Sequence, residues 1–287
     1  MGQEFSFGRV FWVSMVTLLL ETALALVVAA VYSQTLESPN VGGHYGLGVL
    51  ALPFLAAAGA VLAAVVSVAI VLPAVRLSGQ LGRRFGGREA WWWVPLVVAA
   101  ILAPPSEAAA LSGPVDWQSA TSSWSAATVA LTVPALIGRS QRRRLLGAVA
   151  AWGLLAVLGV AVLGAVALQT NLLQAYRPPT ISRTALVGTW SDGRGATLTF
   201  TADGRATSSS VRDYELDEDF NVVAKACTGE GTWSYAAGGD PWNQEVNVDL
   251  PECEWAPWNV GGTQEQTTLY HYVGDPDSWD LYKLRRV

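Results

Sequence analysis

Residues 145–169 read LLGAVAAWGLLAVLGVAVLGAVALQ, and residues 197–201, a short way downstream, read TLTFT. The first run is uncharged and longer than the roughly 20 helical residues that cross a hydrocarbon core about 30 Å thick. In the second, Thr197, Thr199 and Thr201 alternate with Leu198 and Phe200, the period of a half-buried strand. Between them, Tyr176-Arg177-Pro178-Pro179 marks a change of solvent. The fold class that follows is a membrane helical bundle, residues 1–176, joined to a C-terminal all-β domain, residues 177–287.

Upstream, four more runs approach the same length, at about 10–32, 46–75, 91–111 and 122–138, so about five spans are expected. The fourth is the shortest. Pro53 and Pro73 lie near the ends of the second, and Pro104-Pro105 should break the third before its end. Gly147, Gly153, Gly159 and Gly164 in the last run suggest close packing within the bundle. The first run exceeds the apolar core of a signal peptide, so it is read as a retained span.

Charge sets the expected topology. Arg76, Arg83, Arg84 and Arg88 lie in one inter-span loop, and Arg139, Arg142, Arg143 and Arg144 in another. The alternate loops, 33–45 and 112–121, have no Lys or Arg. By the positive-inside rule, the N-terminus and the Arg-rich loops face the cytoplasm of a plasma membrane. An odd number of spans then leaves the β-domain outside. Trp12 and Trp91–Trp93 fall at expected inner ends, and Trp117 and Trp124 at outer ends, as membrane-interface anchors.

Residues 1–176 carry a formal charge of +3 and the remainder −8, within a net −5. The acidic domain repels phosphate backbones, which argues against nucleic acid as a partner. The expected partners are the lipid bilayer and, at the outer domain, a small ligand or an envelope protein.

In the C-terminal part, strands are expected at about 185–190, 195–201, 205–211, 221–226, 230–236, 244–250, 266–273 and 279–286. Asp203-Gly204 supplies a hairpin turn, and a small antiparallel barrel or sandwich fits the spacing. Cys227 and Cys253 are the only cysteines, and an oxidising compartment makes them a disulfide. Asp213, Glu215, Asp217, Glu218 and Asp219 read as a solvated acidic loop. Trp242, Trp255 and Trp258 read as local core.

Gly188-Thr189-Trp190, the hairpin Leu198–Arg205 and the closing Asp280–Arg286 resemble the lipocalin-like, calycin-type β-barrel domains of envelope proteins from high-GC Gram-positive bacteria. A basic complement of 16 Arg and 2 Lys is in keeping with such a genome. The resemblance implies that Gly188 and Trp190 seal one end of a barrel, with Arg286 stacked on the indole as a cation–π partner.

Glu21 falls near the middle of the first span, where a carboxylate costs at least ~2.5 kcal/mol. It is expected to be neutral and hydrogen-bonded to Thr17. With Glu107 near the outer interface, it forms a candidate intramembrane polar site for a transporter or channel component. P-loop, Gly-x-Ser-x-Gly, His-Glu-x-x-His and Cys-x-x-Cys motifs are absent, and His44 and His271 are the only histidines. No cofactor or metal is expected, and the composition argues against an enzyme. A hydrolase without a known motif would need a pocket of convergent polar groups. The leading expectation is a multi-pass membrane protein displaying an extracytoplasmic β-domain for binding or sensing.

Overall fold

The computed structural model describes residues 7–39, 45–86, 91–112, 116–139, 145–216, 222–251, 253, 255–274 and 280–287. His44, Arg88, Arg142–Arg144 and Asp217–Asp219 lie outside the described residues. The chain divides into two compact units. One is helical. The other holds the C-terminal domain and the segment following the first helix.

Five helices of the first unit are long and apolar enough to cross a membrane. They are α1 (Phe7–Ser33), the continuous rod made of α2 (Tyr45–Val66), a π-turn (Ser67–Val71) and α3 (Leu72–Gly86), then α4 (Trp93–Ser112), α5 (Trp117–Arg139) and α6 (Leu145–Gln169). The π-turn has a local cause. Pro73 lacks an N–H and its ring crowds the carbonyl four residues back. The Leu72 N–H reaches the Ser67 carbonyl instead, five residues away.

Three expectations are corrected here. Arg76, Arg83 and Arg84 lie within α3 and Arg139 ends α5, so these arginines are helical rather than in loops. Helix α4 continues through Pro104-Pro105 to Ser112 rather than breaking. The Ser106 hydroxyl donates to the carbonyls of Leu102 and Ala103, and the Trp124 indole of α5 donates to Ala99. The carbonyls that the two prolines leave without a helical donor are those of Ala100 and Ile101, so these bonds brace the neighbouring turn rather than replace the lost ones. Helix α5 begins at Trp117, earlier than hydropathy suggests, because Thr121, Ser122, Ser125, Thr128 and Thr132 donate their hydroxyls to carbonyls three or four residues back.

Gly153 packs on Leu20 and Gly164 on Val31. Both pairs advance by the same eleven residues, so α1 and α6 run parallel in close contact. Gly147 and Gly159 face open space, and only two of the four glycines serve packing. Val71, Leu72, Ala74 and Val75 of the long rod form the buried core with Val94, Val98, Leu131 and Ala135.

The second unit is a closed antiparallel barrel whose eight strands follow chain order. They are β1 (Gly188–Ser191), β2 (Thr197–Phe200), β3 (Arg205–Leu216), β4 (Val222–Ala236), β5 (Glu245–Asp249), β6 (Trp258–Gly262), β7 (Thr267–Tyr272) and β8 (Leu281–Arg286). Closure joins Trp190 of β1 to Arg286 of β8. Alternate residues fill the interior, among them Leu198, Phe200, Val211, Val246, Leu269 and Leu284.

The strands expected at 221–226 and 230–236 are one, and the strand at 258–262 was not expected. Strand β4 pairs with β3 up to Thr232 and with β5 from Thr232 onward. At Gly231 a Cβ would collide with the Asp249 backbone. The Gly-Glu-Gly that looks like a break is therefore part of one continuous strand, with Gly231 making room for the β5 backbone. In β6, a Cβ at Gly261 would lie 2.9 Å from the Tyr270 ring. The glycine that disguises this strand in sequence is what lets the tyrosine lie across it.

Candidate functional site

One end of the barrel is sealed. Ser182 caps a single helical turn, α7 (Arg183–Leu186), by accepting the Ala185 N–H. Leu186 is fully buried, and its carbonyl accepts the Trp190 indole N–H at 2.9 Å. Gly188 has φ +137°, a conformation open to glycine, and the Arg286 guanidinium lies in van der Waals range of where a Cβ would sit, 3.4 Å away.

The structure thus brings Gly188, Trp190 and Arg286 together, but not as a cation–π pair. The Arg286 guanidinium donates to the carbonyls of Ala185 and Val187 at 3.2 and 3.0 Å. Those carbonyls leave a one-turn helix unsatisfied, and a charged donor bonds them more strongly than it would a ring. The cation–π contact at this barrel is Arg183 over Trp233, 5.3 Å from the ring centre.

Gln244 was not singled out by sequence. It is buried, its amide nitrogen donates to the carbonyls of Pro179 and Pro241, and its oxygen accepts from the Ile181 N–H and the Tyr235 hydroxyl. It pins the linker to the barrel with every amide hydrogen-bonding group used.

The opposite end gathers polar and aromatic side chains. The register pairs His271 with Tyr282 across β7 and β8. His271 stacks on Trp258 at 4.4 Å between centres, and Tyr214 of β3 meets both His271 and Tyr282 edge-on. His271 is 4 % exposed, and its Nε2, like the indole nitrogens of Trp255 and Trp258, has no hydrogen-bond partner among the described residues. Asp213 is buried in β3, so the start of the acidic run is strand rather than solvated loop.

Burial holds the His271 pKa down to about 4. The unfolded chain, with an ordinary histidine near 6.5, binds a proton first as pH falls. The stability contribution of neutral His271 is therefore complete above about pH 6.5 and lost on the way down to about pH 4, roughly 3 kcal/mol in all. The expected result is a fall in the urea midpoint of the β-domain between pH 7 and pH 4.5. His271→Phe, which keeps the stack and cannot titrate, should flatten that part of the fall.

Beside this cluster β1 stops at Ser191 and leaves the edge of β8 uncovered. The turn that follows is organised by Asp192, whose carboxylate accepts the N–H groups of Arg194 and Ala196 and the Tyr282 hydroxyl. Burial pushes the Asp192 carboxyl up, but these hydrogen bonds and the Arg212 charge outweigh it and hold it below its ordinary value. Burial in turn raises Tyr282 to about 12, so its hydroxyl stays a donor.

A groove of about 730 Å³ opens here, lined by Asp192, Arg194, Tyr214, Tyr282, Lys283 and Arg285 among others. Lys283 pairs with Glu37 at 3.4 Å, in the segment after α1, and the Gln34 carbonyl of that segment accepts the Tyr176 N–H. His271 is boxed by rings and has no hydroxyl or thiol nucleophile bonded to it. Among the described residues no three His, Cys, Asp or Glu side chains gather as a metal site.

Cys227 and Cys253 form a disulfide, both buried, with Cα atoms 5.9 Å apart. Glu21 and Glu107 are not brought together. Glu107 is exposed on α4, whereas Glu21 lines a groove between α1, α5 and α6 that Glu107 does not reach. The Thr17 hydroxyl donates to Val13 rather than to Glu21, because a helical threonine finds the carbonyl one turn back first. Trp92 stacks directly on Trp93 at 4.4 Å, which leaves no slot between them for a ligand.

Comparison of the chain with models of known protein families, with curated proteins and with solved structures finds no match.

Proposed function

We propose that this is a non-enzymatic plasma-membrane protein whose helical bundle displays a lipocalin-like barrel outside the cytoplasm, and that the barrel binds a small anionic ligand in its side groove. The observation that carries the reading is the groove itself. On a domain of formal charge −8, Arg194, Lys283 and Arg285 converge around the rings of Tyr214 and Tyr282. Its volume lies within the about 300–1,000 Å³ usual for small-molecule sites. Cations on a surface of opposite sign select an anion, and the partly exposed Tyr214 offers an aromatic contact for a ring.

Supporting the topology, α1 and α6 run parallel, so both end on one face of the bundle. The segment after α1 also belongs to the barrel unit. That reading is compatible with a cytoplasmic side for the arginines at helix ends, Arg83 and Arg84 in the last turn of α3 and Arg139 at the end of α5, and with a disulfide in an oxidising compartment. The lipocalin likeness is supported by the eight-strand closure and the Gly188, Trp190 and Arg286 seal.

The test is ligand-observed NMR on the full-length protein in nanodiscs, with a panel of neutral, cationic and anionic sugars and aromatic acids. Anionic members should bind selectively, and Arg194→Ala with Arg285→Ala should weaken them at least about tenfold, equivalent to about 1.4 kcal/mol. Binding without charge preference, or unaffected by the double variant, would contradict the proposal.

A further inference from the structure

A second site lies within the helical unit, independent of the barrel. The groove between α1, α5 and α6 encloses about 430 Å³, a volume that suits a small ligand. Leu20, Leu24, Val133 and Ile137 make its apolar wall, and Trp152 of α6 contributes an indole. Of its two polar residues, Thr17 commits its hydroxyl to Val13. Glu21 is the other, and its Oε2 is buried without a hydrogen-bond partner among the described residues. No Lys, Arg or His lines the groove.

The placement of Glu21 is enforced. Gly153 sits directly against Leu20, so α1 and α6 are in contact one residue before the acid. Glu21 lies near the midpoint of α1, at the depth where an unpaired carboxyl is most costly. A bound cation would relieve that cost, and an indole beside it adds a second attraction that hydroxyl ligands do not feel. We propose that this groove binds a hydrophobic amine, with its ammonium on the Glu21 carboxylate beside Trp152 and its apolar body along Leu20, Leu24, Val133 and Ile137.

The experiment uses the full-length protein in nanodiscs and dicyclohexylcarbodiimide, an apolar reagent that modifies carboxyl groups in hydrocarbon. Peptide mass spectrometry reads modification at Glu21. Dodecylamine should cut the N-acylurea adduct at Glu21 about tenfold, any Glu21 dodecylamide with release of dicyclohexylurea counting as capture by the bound amine, and dodecanol, of equal length and without charge, should not. Absence of labelling at Glu21, no protection by dodecylamine, or equal protection by dodecanol would overturn the proposal. The last outcome would mark the groove as a lipid-chain site. In parallel, equilibrium binding of dodecylamine above the bilayer background should fall at least about tenfold in Glu21→Gln and by a smaller factor in Trp152→Leu. Binding unchanged in Glu21→Gln would also overturn it. An unaltered unfolding transition of the helical unit in both variants shows that the groove remains folded.

Discussion

Trp190→Ala is expected to remove about 4 kcal/mol or more from the stability of the β-domain, the largest single-residue effect in the chain. Truncating a buried tryptophan costs about 3–5 kcal/mol through lost transfer energy and an unfilled cavity. Trp190 is fully buried in the core of the barrel. It also donates to Leu186 from the strand that closes the sheet on β8. Without it the Leu186 carbonyl loses its donor, and the turn bonded by Arg286 loses its floor. Domains of this size are stable by only about 5–15 kcal/mol, so the loss takes a large share. Trp190→Phe separates the two contributions. It keeps most of the buried ring and forfeits the hydrogen bond, and a cost of about 1–2 kcal/mol is expected. Hydrogen exchange of β-domain peptides in the full-length protein, followed through a urea titration, measures both. A Trp190→Ala protein with an unchanged midpoint would refute the role given to this end of the barrel.

The second large effect is loss of the disulfide. Cys227 and Cys253 are 26 residues apart in sequence, and a crosslink of that span lowers unfolded-chain entropy by an equivalent of about 3.5 kcal/mol in the loop-closure account. It ties the middle of β4 to the segment between β5 and β6, beside the isolated bridge of Leu250 and Cys253. Cys227→Ser with Cys253→Ser should lower the thermal midpoint of the β-domain by about 15 °C, since each kcal/mol moves a domain near this size by roughly 4–8 °C. The helical unit, which contains neither cysteine, should keep its own transition. Equal shifts in both units, or none in the β-domain, would contradict this account.

The coarse architecture was legible because it follows from apolar length and alternation. Runs such as Leu145–Gln169 admit one reading, whereas the meeting of Trp190 and Arg286 was implied only by the family resemblance, and in a different form of contact. What escaped were features that depend on a partner. The start of α5 was hidden because Ser and Thr lower hydropathy, although their hydroxyls are satisfied inside the helix. Strand β6 was hidden by Gly261 and Gly262, whose reason is Tyr270 on β7 and the turn beyond.

The candidate site was less legible still. Asp192, Arg194 and Tyr214 are remote from Lys283 and Arg285 in sequence and meet only through barrel closure. His271 belongs to no sequence motif. Its inward position follows from sharing a face with Leu269, and that alternation was the available signal. Gln244 carried no sequence signal, since its four hydrogen bonds go to groups brought near by the fold.

The proposed topology puts the β-domain across the membrane from the arginine-rich segments around residues 83–88 and 139–144. Its most direct measurement is labelling of two single-site variants, Ser209→Cys on exposed β3 and Ser140→Cys in the second of these segments, with a membrane-impermeant maleimide. In intact cells Ser209→Cys should label at once, and Ser140→Cys only after the membrane is permeabilised. The reverse pattern, or labelling of both in intact cells, would contradict the account.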